Sequence, residues 1–473
     1  LALNTIVLAI LIGVTLVLGR IYCSTLCPMG IYQDIMDWVS KKLHRKKKYP
    51  YFKEQPILRW TIVGVTVIAF FAGVSFLITI LDPYSAYGRI STNLWKPVYL
   101  ELNNVVAYVG SQFDYYRFYK TDIFIYSIAA FITAIITLGA IGYLSYRYGR
   151  LYCNTICPVG TVLGFVSRFS IYKIRINESK CNSCGLCAMR CKSSCIDHKE
   201  QKIDYSRCVS CFNCLHECNR SAMTYSWRPG KLRVVPALQP VNHDESKRKF
   251  LFAMFIVALA GIQKVIAKQP DTLKKLKLFY SAHNKPFKKK HPIAPPGAIN
   301  TRRFNDKCTG CHLCVSKCPS HVLKPTFMEY GLAGMLQPEM IFEDGYCNYH
   351  CTVCTEICPS NALKKVSAKE KRNLQIGQVV FIKENCITVT DGTDCGACSE
   401  HCPTQAVSMQ PYKGDLRLPT IDHDLCVGCG GCEYICPVRP FRAIYVDGNP
   451  VHLTAKVPEQ QEQKKVELND FGF

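Results

Sequence analysis

Residues 426–437 read CVGCGGCEYICP, four cysteines spaced C-x2-C-x2-C-x3-C with proline after the last. The same spacing recurs at Cys181, Cys184, Cys187 and Cys191, at Cys208, Cys211, Cys214 and Cys218, and at Cys308, Cys311, Cys314 and Cys318. Two variants complete the set. Cys347, Cys351, Cys354 and Cys358 open with x3, and Cys386, Cys395, Cys398 and Cys402 open with x8. Such a triplet wraps a cubane [4Fe-4S] cluster, points backbone N–H groups at its sulfides, and takes its fourth thiolate from a partner motif. Proline after the fourth cysteine turns the chain away without adding a competing N–H. Zinc ribbons need only cysteine pairs, and disulfides between such close neighbours would be strained. Six occurrences in one chain decide for six [4Fe-4S] clusters. The run Cys308-Thr309-Gly310-Cys311-His312 also matches a c-type haem attachment site. A haem there would orphan Cys314 and Cys318, so no haem is expected.

The chain has 473 residues, 29 of them cysteine, and 58 Lys+Arg against 35 Asp+Glu for a formal charge of +23. It is too long for a small disulfide-stapled scaffold, and its length suggests about three domains. No P-loop, dinucleotide fingerprint or nucleic-acid module is visible, so neither a nucleotide nor a nucleic-acid partner is expected.

A second pattern lies near the start. Residues 19–30 read GRIYCSTLCPMG and residues 149–160 read GRLYCNTICPVG, with eight of twelve positions identical. This is an internal repeat, and each copy follows an apolar run. Residues 1–19, 60–81 and 123–146 carry no charge, and each approaches the roughly 20 residues that a helix needs to cross a bilayer. A weaker run, 250–267, contains Lys264; it reads as a further span or as a buried or interfacial helix. Basic clusters follow the first and third runs and precede the fourth, which places them on the cytoplasmic side. Both C-x3-C-P motifs then fall at the cytoplasmic membrane edge and residues 82–120 outside. If 250–267 spans, the rest of the chain is also outside. Cys23, Cys27, Cys153 and Cys157 supply four thiols, the number for a seventh metal site, with [4Fe-4S] as a candidate occupant. The competing reading is a set of redox-active or structural thiols. No histidine lies in the apolar runs, so this chain alone cannot hold a bis-histidine haem in the membrane.

The twin GR-x-Y-C-x3-C-P segments, Asp82-Pro83-Tyr84-Ser85 after the second apolar run, and the two-cluster region that follows together resemble the membrane polyferredoxins of the NapH type. Residues from about 300 to 445, with the loosened second motif and the x8 third motif, resemble the NapG type, an exported four-cluster ferredoxin. The regulatory protein NosR and the CcoG-type accessory proteins share the twin C-x3-C-P idea. Ser246-Lys247-Arg248-Lys249-Phe250-Leu251 resembles a twin-arginine export signal with lysine for the first arginine, or an ordinary basic flank. The family usually has another helix before the first motif, and the chain opens at Leu1, so an earlier segment is expected.

The expected architecture is an α-helical transmembrane domain (1–168), a ferredoxin-like α+β two-cluster domain (169–245), a membrane or signal-anchor helix (246–268), a basic linker (269–300), a four-cluster ferredoxin domain (301–455) and a polar tail (456–473). In the two-cluster domain, Cys181, Cys184, Cys187 and Cys218 hold one cluster, and Cys208, Cys211, Cys214 and Cys191 the next. In the four-cluster domain the resemblance implies nested pairing. That gives Cys308/Cys311/Cys314/Cys436, Cys426/Cys429/Cys432/Cys318, Cys347/Cys351/Cys354/Cys402 and Cys386/Cys395/Cys398/Cys358, with sequential pairing as the alternative. Cys195 is left over. The resemblance implies a membrane-bound electron relay between the quinone pool or a partner subunit and a redox partner, in the bacterial inner membrane, with the C-terminal domain periplasmic. The alternatives are a stand-alone quinol dehydrogenase and a NosR- or CcoG-like sensor or assembly factor. No quinone pocket is readable; Trp60, Trp95 and Tyr84 are candidates only as aromatic residues of the kind that line membrane interfaces.

Overall fold

The computed structural model describes residues 2–43, 54–113, 117–124, 126–227 and 285–456. The 250–267 run, the export-like signal, the first half of the basic linker (269–284) and the tail from 457 lie outside the described residues. The chain divides into two compact units. One holds residues 1–268 with 306–312 and 325–337; the other holds 269–305, 313–324 and 338–473.

Unit one begins with α1 (Ala2–Leu18), a short α2 (Ile21–Thr25) and α3 (Pro28–Leu43). The apolar run 60–81 is not one helix. It forms α4 (Pro56–Phe71), a turn, and α5 (Phe76–Leu81). The break falls at Gly73, whose φ of +76° is open to glycine and costly for other residues. Residues 82–120 are more than an external loop. Asp82 caps α6 (Pro83–Ile90) by accepting from the Ser85 amide at 2.8 Å. A π-helical turn (Ser91–Trp95) then leads into α7 (Lys96–Ser111). Next come α8 (Ile128–Tyr148), a second π turn (Tyr152–Ile156) and α9 (Pro158–Ser167). Among the described residues α8 alone is long and apolar enough to cross a membrane; Ile6–Leu18, Pro56–Phe71 and Pro158–Ser167 are shorter apolar helices.

α3 runs parallel to α8. The Tyr32 hydroxyl donates to the Leu138 carbonyl at 3.0 Å, and the Ser40 hydroxyl to the Tyr146 carbonyl at 2.7 Å. The two-cluster region adds β1 (Lys173–Ile176), α10 (Leu186–Arg190), β2 (Ile196–Asp197), β3 (Lys202–Ile203), α11 (Asn213–His216) and β4 (Met223–Ser226). β1 pairs antiparallel with β4, and β2 with β3. A charged knot ties this region to the helices. Glu54 pairs with Arg59 at 2.8 Å and with Arg168 at 2.7 Å, and Arg59 also donates to the Ser206 hydroxyl at 3.0 Å.

Unit two is built of two-stranded antiparallel ribbons joined by helical turns. β5 (Leu323–Pro325) neighbours β6 (Pro338–Met340), β7 (Leu374–Phe381) pairs with β10 (Ile444–Thr454), and β8 (Val407–Lys413) forms a hairpin with β9 (Leu416–Ile421). Ile293, Phe304, Phe342, Ile376, Val379 and Val446 are buried in it. Residues 285–300, expected as linker, fold into this unit. The Lys285 amide donates to Asn385 at 2.8 Å, and Lys289 pairs with Glu433 at 3.0 Å.

Candidate iron–sulfur sites

The cysteine loops share a backbone device. In the four regular motifs, the residues flanking the second cysteine are left-handed: Ser183 and Gly185, Ser210 and Phe212, Gly310 and His312, Gly428 and Gly430. Successive left-handed turns make a concave nest of N–H groups suited to an anionic cluster. Gly430 is further required because a Cβ there would lie 2.2 Å from the Phe342 ring. A second device follows the fourth cysteine. Ser194, Ser221, His321, Asn361 and Gln405, each three residues on, are left-handed and donate their amides back to the carbonyls of Cys191, Cys218, Cys318, Cys358 and Cys402. The turn forms without proline after Cys191 and Cys218, so proline reinforces it and is not its cause.

Four cavities are lined by cysteine tetrads or more. Cys181, Cys184, Cys187 and Cys218 line one of about 190 Å³. Cys191, Cys208, Cys211 and Cys214 line the next, together with Cys195. In unit two, Cys386, Cys395, Cys398 and Cys436 line one cavity, and Cys402, Cys426, Cys429 and Cys432 another. Cys354 lies within electrostatic reach of Cys347, Cys318 and Cys351. These groupings are sequential, not the nested ones expected. Cys436 stands with the Cys386 triplet, Cys402 with the Cys426 triplet and Cys318 with the Cys347 triplet. The physical reason is that adjacent motifs sit back to back, which brings each fourth cysteine to its chain neighbour's loop. Among the described residues no three His, Cys, Asp or Glu side chains converge tightly enough for a single ion. Thiols spread around a cavity fit a multi-iron cubane, whose four irons take one thiolate each.

His312 is buried. Its Nε2 meets the Leu336 carbonyl at 2.9 Å and its Nδ1 meets Asn93 at 3.4 Å. Burial depresses its pKa to about 3. Both ring nitrogens are engaged.

The twin motifs meet in the interior of unit one. Cys23, Cys27, Cys153 and Cys157 are all buried and lie within electrostatic reach of one another. The repeat explains itself residue by residue. Gly19 and Gly149 have φ of +79° and +71° and end the preceding helices. Cys27 and Cys157 stand at the starts of α3 and α9, just before Pro28 and Pro158, where proline is tolerated. Their sulfurs accept the amides of Gly30 and Gly160, the latter at 3.3 Å. Gly30 and Gly160 are needed because a Cβ would lie 2.2 Å from the Cys23 carbonyl oxygen or 2.1 Å from that of Cys153.

Arg20 and Arg150 are fully buried and each clasps the other copy. Arg20 donates to the Cys153 carbonyl at 3.3 Å, and Arg150 to the Cys23 carbonyl at 2.6 Å. Asp34 pairs with Arg150 at 2.7 Å and with Lys192 at 3.0 Å. The position 130 residues after Asp34 is Gly164, so Arg20 has no matching carboxylate from the repeat. A buried guanidinium costs several kcal/mol unless paired, and a cluster carrying about −2 with its thiolates would supply the partner. The residues fit a [4Fe-4S] cluster.

The site lies beside α8. Cys27, Cys153 and Cys157 pack in one cluster with Ala134 and Ile141, about 9 and 20 Å along the roughly 31 Å of α8. Val209 of the two-cluster region packs against Cys23, and the Tyr152 hydroxyl donates to the Leu81 carbonyl at 3.0 Å. Buried Arg89 donates to the Thr79 carbonyl and lies within electrostatic reach of Tyr152, Asp82 and Cys311. Gly88 meets the Cys311 carbonyl, which a Cβ would approach to 2.4 Å.

The sequence reading missed Gln33, whose Nε2 donates to Cys153 Sγ at 3.1 Å, and Asp34. The repeated Gly-Arg pair was a signal available for the two arginines. Trp60, Trp95 and Tyr84 are exposed and line none of the four cavities.

These loops and cavities define an iron–sulfur protein. Family profiles described as "4Fe-4S binding domain" match residues 2–47 with 129–177, the twin segments, and residues 303–324; one described as "4Fe-4S dicluster domain" matches 393–439. The chain is similar to the ferredoxin-type protein NapG of Escherichia coli K12, 31% identical over 154 residues, 30% of this chain and 65% of that protein. It is similar to the methylamine utilization ferredoxin-type protein MauM of Methylorubrum extorquens, 31% identical over 153 residues, 30% of this chain and 67% of that protein. It is also similar to the ferredoxin-type protein NapF of E. coli K12, 25% identical over 154 residues, 33% of this chain and 85% of that protein. The chain therefore spans just under two thirds of NapG. It belongs to the ferredoxin-type iron–sulfur electron-transfer proteins related to NapG, NapF and MauM.

Proposed function

We infer that the chain is a membrane-bound relay subunit of a respiratory redox complex, of NapH type in its first part and NapG type in its last. It moves electrons between the quinone pool, or a partner subunit, and a redox partner. The observation that carries this reading is the position of the buried twin site within unit one. Val209, beside Cys208, packs against Cys23, and Arg89 lies within electrostatic reach of Tyr152 and of Cys311. Redox sites on opposite faces of a membrane are separated by about 30 Å of lipid, too far for direct tunnelling. A metal site between two cysteine loops divides that distance.

The chemistry that [4Fe-4S] clusters supply when bound is one-electron transfer. The protein contributes position, burial and hydrogen bonds to sulfur. Arg20 and Arg150 hold the two halves of the twin site together and supply positive charge. Gln33 donates to sulfur, and the amides of Gly30 and Gly160 do the same at the helix starts. The apolar faces of α1, α4 and α8, with Leu8, Ile10, Ile57, Ile68, Phe71 and Ile136 exposed, support insertion in a bilayer.

The test is iron and EPR spin counting on membranes holding the native partners, followed by addition of a quinol. About 28 Fe per chain supports seven clusters and about 24 supports six. Quinol-driven reduction of the EPR signals supports the relay. Stoichiometric zinc with almost no iron would sink it.

A further inference from the structure

The cavity of the second cluster in the two-cluster region is lined by five cysteines, one more than a cubane uses: Cys191, Cys195, Cys208, Cys211 and Cys214. Cys195 is buried. Its Sγ lies 3.5 Å from Cys191 Sγ, and its side chain also interacts with Cys208. The fold explains the placement. The left-handed turn at Ser194 reverses the chain, and β2 begins at Ile196, so residue 195 is aimed into the cavity. The equivalent positions, four residues after the fourth cysteines of other loops, are Ala222, Val322, Ala362 and Ala406, all buried and apolar. Where the other loops place an inert side chain, this one places a thiol.

We propose that Cys191 and Cys195 are interchangeable fourth ligands of this cluster. In the exchange, one iron–sulfur bond to Cys191 breaks and one to Cys195 forms. The Cys195 proton passes to Cys191, and no electron moves. The 3.5 Å separation allows this without movement of the backbone. The proposal rests on reading the cavity as a [4Fe-4S] site.

The experiment uses the full chain in membranes, with Cys191→Ala, Cys195→Ala, the double variant and Cys208→Ala. Either single variant at the pair should keep the iron of the cluster, with altered EPR lines in Cys191→Ala. The double variant should lose about four Fe. Cys191→Ala losing as much iron as the double variant would overturn the proposal. Cys208→Ala separates the two readings: unchanged iron there refutes the cluster itself, whereas iron lost there and equally in Cys191→Ala refutes the exchange alone. If Cys191→Ala fails to accumulate, the rate of iron release to a chelator decides. Cys195→Ala should release this cluster several-fold faster than the unmodified chain, and equal rates would refute the exchange.

Discussion

Gln33→Leu tests the twin site most directly. Gln33 is fully buried, its Nε2 donates to Cys153 Sγ at 3.1 Å, and its Oε1 has no hydrogen-bond partner. The repeat supplies its own control, because the position 130 residues later is Leu163, buried near Cys23. Leucine at 33 therefore reproduces what the other half of the site contains, and it also removes an orphaned acceptor. The fold should tolerate it. A hydrogen bond to a charged acceptor contributes about 1.5–3 kcal/mol. On one-electron reduction the cluster goes from about −2 to about −3, so the bond strengthens by about half, or roughly 0.75–1.5 kcal/mol. At 59 mV per 1.36 kcal/mol, its loss lowers the midpoint potential of one cluster by about 30–65 mV. The assay is an EPR-monitored potentiometric titration of membranes. A midpoint that stays in place while iron content is unchanged would refute the assignment of Gln33 to a cluster at the twin cysteines.

Gly160→Ala should empty the twin site, since the new methyl would meet the Cys153 carbonyl at 2.1 Å; about four Fe should be lost while the ferredoxin-type EPR signals persist. Pairing is read from double variants. Cys386→Ala with Cys436→Ala should cost about four Fe if the two share a cluster, and about eight if nesting holds. His452 bears on acid stability. Burial lowers its pKa to about 4 from an unfolded value near 6.5, so the unfolded chain takes up the proton first. Its stability contribution is full above pH 6.5 and falls as pH drops toward 4. Thermal melts of His452→Phe should show a shallower loss over that window than the parent; parallel curves would remove His452 as a source.

The cysteine spacing alone made the cluster-binding loops legible, because the same thiol geometry must be met each time. It could not show which fourth cysteine serves which triplet, since both pairings use identical spacings. Hydropathy located the apolar runs but not their continuity. Residues 60–81 read as one span, and Gly73 with its left-handed backbone divides them. Phe212 and Ser183 are not residue types that announce a left-handed backbone; the signal lay in the glycines at the equivalent positions of other loops. The place of the twin site beside α8 was hidden for a different reason. It depends on how the helices pack, a tertiary choice that neither repeat copy encodes by itself.

The proposed relay would have an electrical consequence. In an energised membrane, carrying one charge across the full bilayer costs or yields about 2.3 kcal/mol per 100 mV. Cys27, Cys153 and Cys157 pack in one cluster with Ala134 and Ile141 of α8; if α8 crosses the bilayer as proposed, an electron arriving at the twin site from either face would cross about half the field, or about 1.1 kcal/mol per 100 mV. The relay would then be electrogenic, and the occupancy of its central site would follow the membrane potential as well as the redox state of its donor and acceptor.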